Sequence, residues 1–411
     1  MNAVGNSVRN SVKDLLEKGA VVILLGTGGV GKTTIAAALG IAAAGARVNT
    51  ALITVDPAKR LRDALGLERL GGRPKGLGTA RLKAAGLDPK LRLSAMVLDV
   101  KGAWDGMVEQ FAPNPETRRR ILANPFYRSL TGQFAGSEAY AALEQLYDLH
   151  SAGDFELEIV DTPPAAHAFE FLHAPARLAR LLDTRTARWL FRPYLSASKF
   201  AMKLASRAAR FVVRELERFA GANVLTSISE FFAAAAETVD AMVERLHKTE
   251  ALLHSPAVRF VLVTTAEEDR LNQARELIEE MQAEGLRLSA IVLNRFLDEA
   301  SLQEIASGAD GARVPSHLEE IARLRSTLAA DLPADPGVST LVERLESYRT
   351  HALADMERVA RFARELPPEV NLLIAPEIAI GVRDLKALAH LARLLAGGDR
   401  ALWGLERVAL Q

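Results

Sequence analysis

Residues 20–34 read Ala-Val-Val-Ile-Leu-Leu-Gly-Thr-Gly-Gly-Val-Gly-Lys-Thr-Thr. The apolar run Ala20–Leu25 is short enough for a buried parallel strand. The stretch Thr33–Ala44 is alanine-rich and closes at Gly45, which reads as a helix. Between strand and helix, Gly26, Gly31, Lys32 and Thr33 meet the spacing G-x-x-x-x-G-K-[ST]. Glycines permit the tight turns through which successive N–H groups converge on phosphate oxygens. The helix N-terminus adds its partial positive charge. The loop residues Gly26, Thr27, Gly28, Gly29, Val30, Gly31, Lys32, Thr33 and Thr34 are therefore the expected ATP-binding set. Lys32 reaches the β- and γ-phosphates and counts as catalytic, and the Thr33 hydroxyl is a ligand for Mg²⁺.

A phosphate loop of this kind needs carboxylates nearby. Asp161 follows the apolar run ending Ile159-Val160 and can hold Mg²⁺ through water, or it simply opens the turn Thr162-Pro163-Pro164. Asp56 stands at the end of another strand, before Pro57. Ligands of open α/β sheets gather at such ends, and an acid there can orient or deprotonate an attacking water. An Asp-Pro turn is the alternative.

Further strands are expected at Val48–Val55, Leu91–Leu98, Phe155–Val160, Arg259–Thr264, Ser289–Leu293 and Val370–Ile374. Helices are expected at Asp269–Glu284 and from about Val382. The alternation predicts an α/β fold, a mostly parallel central sheet with helices on both faces. Gly102–Ser151 and Asp183–Leu253 break it, and read together as an inserted all-helical subdomain. The expected division is a core at 19–101, 152–182 and 254–411, with helical insertions at 102–151 and 183–253. Gly71–Lys90, rich in Gly, Lys and Pro, reads as a mobile connection. The 411 residues balance 51 basic against 51 acidic groups, so net charge gives no reason to expect nucleic acid. There is no cysteine, which excludes disulfides and thiolate metal sites. The first twenty residues are polar and mixed in charge, and no apolar run reaches the ~18 residues of a membrane span. The chain reads as cytoplasmic, at most peripheral at a membrane.

At these motifs the chain resembles the ArsA-type ATPases, the arsenite-pump ATPases and the chaperone ATPases that target tail-anchored membrane proteins. The carriers are Gly28-Gly29-Val30-Gly31-Lys32-Thr33-Thr34, Val55-Asp56-Pro57-Ala58, and Asp161-Thr162-Pro163-Pro164-Ala165-Ala166-His167 with Phe171-Leu172 beyond. Val292-Leu293-Asn294-Arg295 resembles the strand end whose Asn reads adenine, and Ala375-Pro376-Glu377 the later adenine-side loop. The resemblance implies a nucleotide-controlled dimer, either a homodimer or a heterodimer with a related ATPase, whose helical parts move on hydrolysis. It makes Asp56 the catalytic base and places Asp56, Pro57, Asp161, Pro164 and His167 in switches. It adds Asn294, Arg295, Pro376 and Glu377 to the nucleotide contacts. For His167 a capping or structural role stands equally open.

Three departures qualify the resemblance. The family carries a lysine just after the first loop glycine, which neutralises charge on the partner's phosphates; here that residue is Thr27. Turnover is then slow, or a cation comes from elsewhere, with Lys59 and Arg60 as candidates, or from a lysine-bearing relative in a heterodimer. Without cysteine, neither the family's thiolate site for arsenite nor a zinc-clasped dimer can form. The motif occurs once, so a sandwiched nucleotide needs a second subunit.

From Thr184 to Arg214 there are eight basic residues and no acidic one. Lys199, Lys203, Arg207, Arg210 and Arg214 share a helix face, with Phe200, Leu204 and Phe211 beside it. Such a helix can meet a protein client or an anionic membrane surface, or it is a solvated face over a core. Trp104, Met107, Phe126, Tyr127 and Tyr140 read as packing. The expected function is ATP hydrolysis that drives rearrangement of a dimer handling a client or membrane partner. The rivals are a partitioning-type positioning switch on membrane or DNA, a nucleotide-sensing scaffold with decayed hydrolysis, and a P-loop kinase.

Overall fold

The computed structural model describes residues 12–55, 60–67, 70–133, 137–162, 236–296, 336–378 and 384–396, with isolated positions between these segments. Strand β1 (Ala20–Leu25) is buried along its whole length. It pairs in parallel with β5 (Leu157–Asp161) on one side and β6 (Val258–Thr264) on the other. Outward from β5 lie β2 (Thr50–Thr54), β4 (Leu93–Val97) and β3 (Lys75–Gly76). Outward from β6 lie β7 (Leu288–Phe296) and β8 (Asn371–Pro376). Every pairing is parallel except β3 against β4. The parallel α/β sheet expected from the sequence is the architecture observed. The strand order reverses around β1 and β5, so a crevice opens at their C-terminal ends.

Both faces are covered, and the period of two explains how. Val21, Ile23 and Leu25 join one core; Val22 and Leu24 join the other. The second core holds α1 (Lys32–Gly45), α2 (Arg60–Ala64) and α3 (Thr79–Ala84). It is closed by α11 (Leu385–Leu395), whose N-cap Asp384 accepts from Ala387 N–H. The alanines of α1 are buried, and their small side chains let the helix lie close against sheet and neighbouring helix. The first core holds α4 (Val100–Phe111), α5 (Pro115–Ala123), α6 (Pro125–Gln133) and α7 (Ser137–Ala152). It also takes in α8 (Ala236–Leu253), α9 (Glu268–Ala283) and α10 (Pro336–Glu365).

The helical layer has a polar pin. Arg245 on α8 reaches Glu144 on α7 at 2.8 Å, also bonds Asp148, and lies 3.9 Å over the Tyr147 ring. The Tyr140 hydroxyl donates to Glu144 at 3.2 Å. Burial raises the Glu144 carboxyl and pushes the Tyr140 phenol well up, while Arg245 pulls both back. The Trp104 and Tyr140 rings meet tilted at 53°, with centroids 4.6 Å apart, as packing residues do.

One segment differs from its reading. Gly71–Lys90 holds a short strand and a helix, because Leu77, Leu82 and Leu87 anchor it in the core. Its Gly, Lys and Pro content concealed three buried leucines. The helix α10 was not singled out in the sequence at all. Glu144→Ala leaves Arg245 half-paired in the interior and is expected to cost about 2–3 kcal/mol, read as a lower urea midpoint. Lys248→Ala breaks only the exposed Lys248–Glu244 pair and leaves that midpoint unchanged.

Candidate functional site

The turn from β1 into α1 is built on left-handed glycines. Gly26, Gly29 and Gly31 have φ of 149°, 84° and 94°. A Cβ at Gly26 would lie 2.3 Å from the Val263 carbonyl, and one at Gly31 would lie 2.2 Å from Asn294 Nδ2. These two positions require glycine for space as well as for backbone angle. Gly31 caps α1 without any side-chain hydrogen bond, which leaves the first N–H groups of the helix to the loop's interior. Lys32 is buried, and its ammonium donates to the carbonyls of Gly26 at 2.8 Å and Thr27 at 3.1 Å. The loop thereby carries a cation folded across its own turn.

Beside it, Asp161 ends β5. Its Oδ2 accepts the Thr33 hydroxyl at 2.7 Å and the Thr54 hydroxyl at 3.0 Å. Three elements meet there: the start of α1, the end of β2 and the end of β5. The next residue, Thr162, donates its hydroxyl to Leu24 O at 2.5 Å, and Val55 N–H bonds Asp161 O at 3.1 Å. A hydroxyl and a carboxylate at hydrogen-bond distance, both hard oxygen donors at strand ends, fit the surroundings of a Mg²⁺ ion.

A model of the anion-transporting ATPase family matches residues 20–310, the interval that holds the loop, Asp161 and Asn294. The chain belongs to the anion-transporting ATPase family. Membership makes it an ATPase, as the resemblance implied. It is 28% identical to ATPase GET3 of Malassezia globosa over 273 residues, which is 66% of this chain and 71% of that relative. It is 29% identical to ATPase ARSA1 of Chlamydomonas reinhardtii over 348 residues, 77% of this chain and 40% of the relative. A putative arsenical pump-driving ATPase of Halobacterium salinarum is 27% identical over 168 residues, 41% of this chain and 26% of that protein.

Within this family member, the structure brings Lys32, Thr33 and Asp161 together. Asn294 is buried under the loop, and its Nδ2 donates to Val30 O at 2.7 Å. Its amino group thus ties β7 to the phosphate loop. Arg295 beside it is exposed, in a left-handed conformation with φ 57°, where the β7–β8 register shifts. Pro376 ends β8, and Glu377 N–H bonds Phe296 O at 2.7 Å. Asp56, Pro57, Pro164 and His167 lie outside the described residues, as do Lys59 and the basic set Lys199, Lys203, Arg207, Arg210 and Arg214. Arg60 begins α2.

Two residues at the site escaped the sequence reading. Thr54 was hidden inside a strand, although a polar residue two positions before Asp56 was the available signal. Arg270 donates to Thr27 Oγ1 at 3.0 Å, and no local pattern marked it. Asn294→Ala removes a buried donor and is expected to cost about 1–3 kcal/mol in urea unfolding. Asn294→Asp, which sets a carboxylate against the Val30 carbonyl, is expected to cost at least as much.

Proposed function

We propose that the loop of residues 26–34 binds ATP and that the chain hydrolyses it to ADP and phosphate beside Asp161. The convergence of Thr33 and Thr54 on one Asp161 oxygen carries this reading. It holds the P-loop helix and two strand ends in register around the place where phosphate oxygens sit. Gly28, Gly29, Val30 and Gly31 present N–H groups to those oxygens, and the helix end adds its dipole. Lys32 donates to the backbone carbonyls of Gly26 and Thr27, which phosphate oxygens can replace, and its charge then turns to the β- and γ-oxygens.

Thr33 would hold Mg²⁺ directly and Asp161 would hold it through water. When bound, that ion neutralises charge on the β- and γ-phosphates. Asp56, one residue beyond the Val55 that bonds Asp161, orients the water and takes its proton. The Asn294 carbonyl oxygen accepts from the adenine amino group while its amino group stays on Val30. Arg295, Pro376 and Glu377 edge the base side.

The chain works as a dimer, with a second copy or a related ATPase, whose closed form the triphosphate favours and hydrolysis releases. The rearrangement serves a protein client or a membrane surface met by the basic face of 199–214. Support comes from the spacing of Lys199, Lys203, Arg207, Arg210 and Arg214 and from the family's ATPase character. Among the described residues no helix is long and apolar enough to cross a membrane.

Lys32→Ala is expected to remove turnover and to weaken ATP binding at least about tenfold. Asp56→Asn keeps ATP affinity and loses turnover by about a hundredfold or more. If Lys32→Ala matches the wild type in both assays, the loop is not a nucleotide site. The triple change Lys203→Ala, Arg207→Ala, Arg210→Ala is expected to lower sedimentation with anionic liposomes, or client capture by the Asp56→Asn form, without altering ATPase rate. Unchanged capture in both would assign the basic face to solvent.

A further inference from the structure

Arg270 lies in the first turn of α9, reached from the end of β6. Because β6 pairs in parallel with β1, the segments after the two strands emerge side by side. Its guanidinium crosses between them, and Nη1 donates to Thr27 Oγ1 at 3.0 Å. The carbonyl of the same Thr27 accepts from Lys32 Nζ at 3.1 Å. One loop residue therefore holds a cation on each of its two oxygens.

The rest of the arginine is prepared for an anion. Its backbone is fixed at both ends: the N–H bonds Glu267 O at 3.0 Å and the carbonyl accepts Thr264 Oγ1 at 3.1 Å. Nη1 also meets Gln273 Oε1 at 3.2 Å. The nearest counter-charge is Glu267, 3.8 Å from Nε and 75% exposed, which makes a weak pair. Nη2 forms no hydrogen bond among the described residues. A cation in the first turn of a helix also opposes the helix dipole. Planar donors, one-third exposed and moored to a phosphate loop, suit a phosphoryl group.

We infer that Arg270 is a second phosphate-directed cation of this site, moored by Thr27 and contacting the terminal phosphoryl of the triphosphate held in the same loop. The inference rests on the ATPase reading above. As a water oxygen bonds to the γ-phosphorus, the bond to the β-phosphate oxygen breaks and ADP leaves with the electron pair. The water's proton goes to Asp56, and Arg270 stays protonated throughout. Its donors stabilise the charge on the transferring group. The threonine that displaces a lysine in this loop thus keeps a positive charge there by hydrogen bond. Lys59 and Arg60 are not required for it.

The test uses the full chain with steady-state ATPase assays and equilibrium binding of ATPγS and ADP. Arg270→Ala is expected to lower kcat about a hundredfold or more and to raise KM for ATP. It should also lower the ratio of ATPγS to ADP affinity about tenfold or more, at an unchanged thermal midpoint. Arg270→Lys keeps the charge without the fork and loses about tenfold in kcat.

A kcat within twofold of wild type together with an unchanged affinity ratio would overturn the inference. So would a parallel loss of both nucleotides with a fallen midpoint, which marks a structural arginine. Should the wild type show no turnover, the affinity ratio still decides the role of Arg270, whereas Lys32→Ala decides the ATPase reading separately.

Discussion

A single carboxylate oxygen organises the site. Asp161 Oδ2 accepts hydroxyls that arrive from the start of α1 and the end of β2, while its own backbone continues β5. Each bond alone is modest, but together they fix three chain segments against one buried atom. Burial keeps water from competing for the two hydroxyls. The parallel sheet makes the meeting possible, since all its long strands deliver their C-terminal ends to one rim.

The loop above that oxygen depends on space as much as on charge. Val263 O and Asn294 Nδ2 press against the backbone of Gly26 and Gly31 so closely that no β-carbon fits. The neighbours come from β6 and β7, so the loop is shaped from outside as well as by its own glycines. Lys32 then closes the turn from inside.

The strands and the phosphate loop were legible because their signals are local. An apolar run bounded by glycines is visible in a few residues, and Lys32 and Thr33 follow at fixed spacing. Asp161 was legible for the same reason, standing at the end of its own strand. Thr54 and Arg270 were not. Their partners are 107 and 243 positions away, and only the sheet order brings them together. Asn294 was noticed as a strand-end residue, but its bond to Val30 is a matter of register between distant segments. The Gly71–Lys90 stretch misled for the opposite reason. Its composition is that of a loop, and its three anchoring leucines are spaced too widely for either period to show.

Among the described residues, the last strand beyond β4 has a bearing on how copies of this chain can meet. β3 is only two residues long, runs antiparallel to its neighbour and begins with an exposed lysine. It blunts that margin of the sheet, leaving little unpaired backbone for another molecule to extend. Ribbon-to-ribbon growth into fibres is thereby suppressed along this flank, and crowding of many copies carries a smaller aggregation hazard than so broad a sheet would otherwise bring.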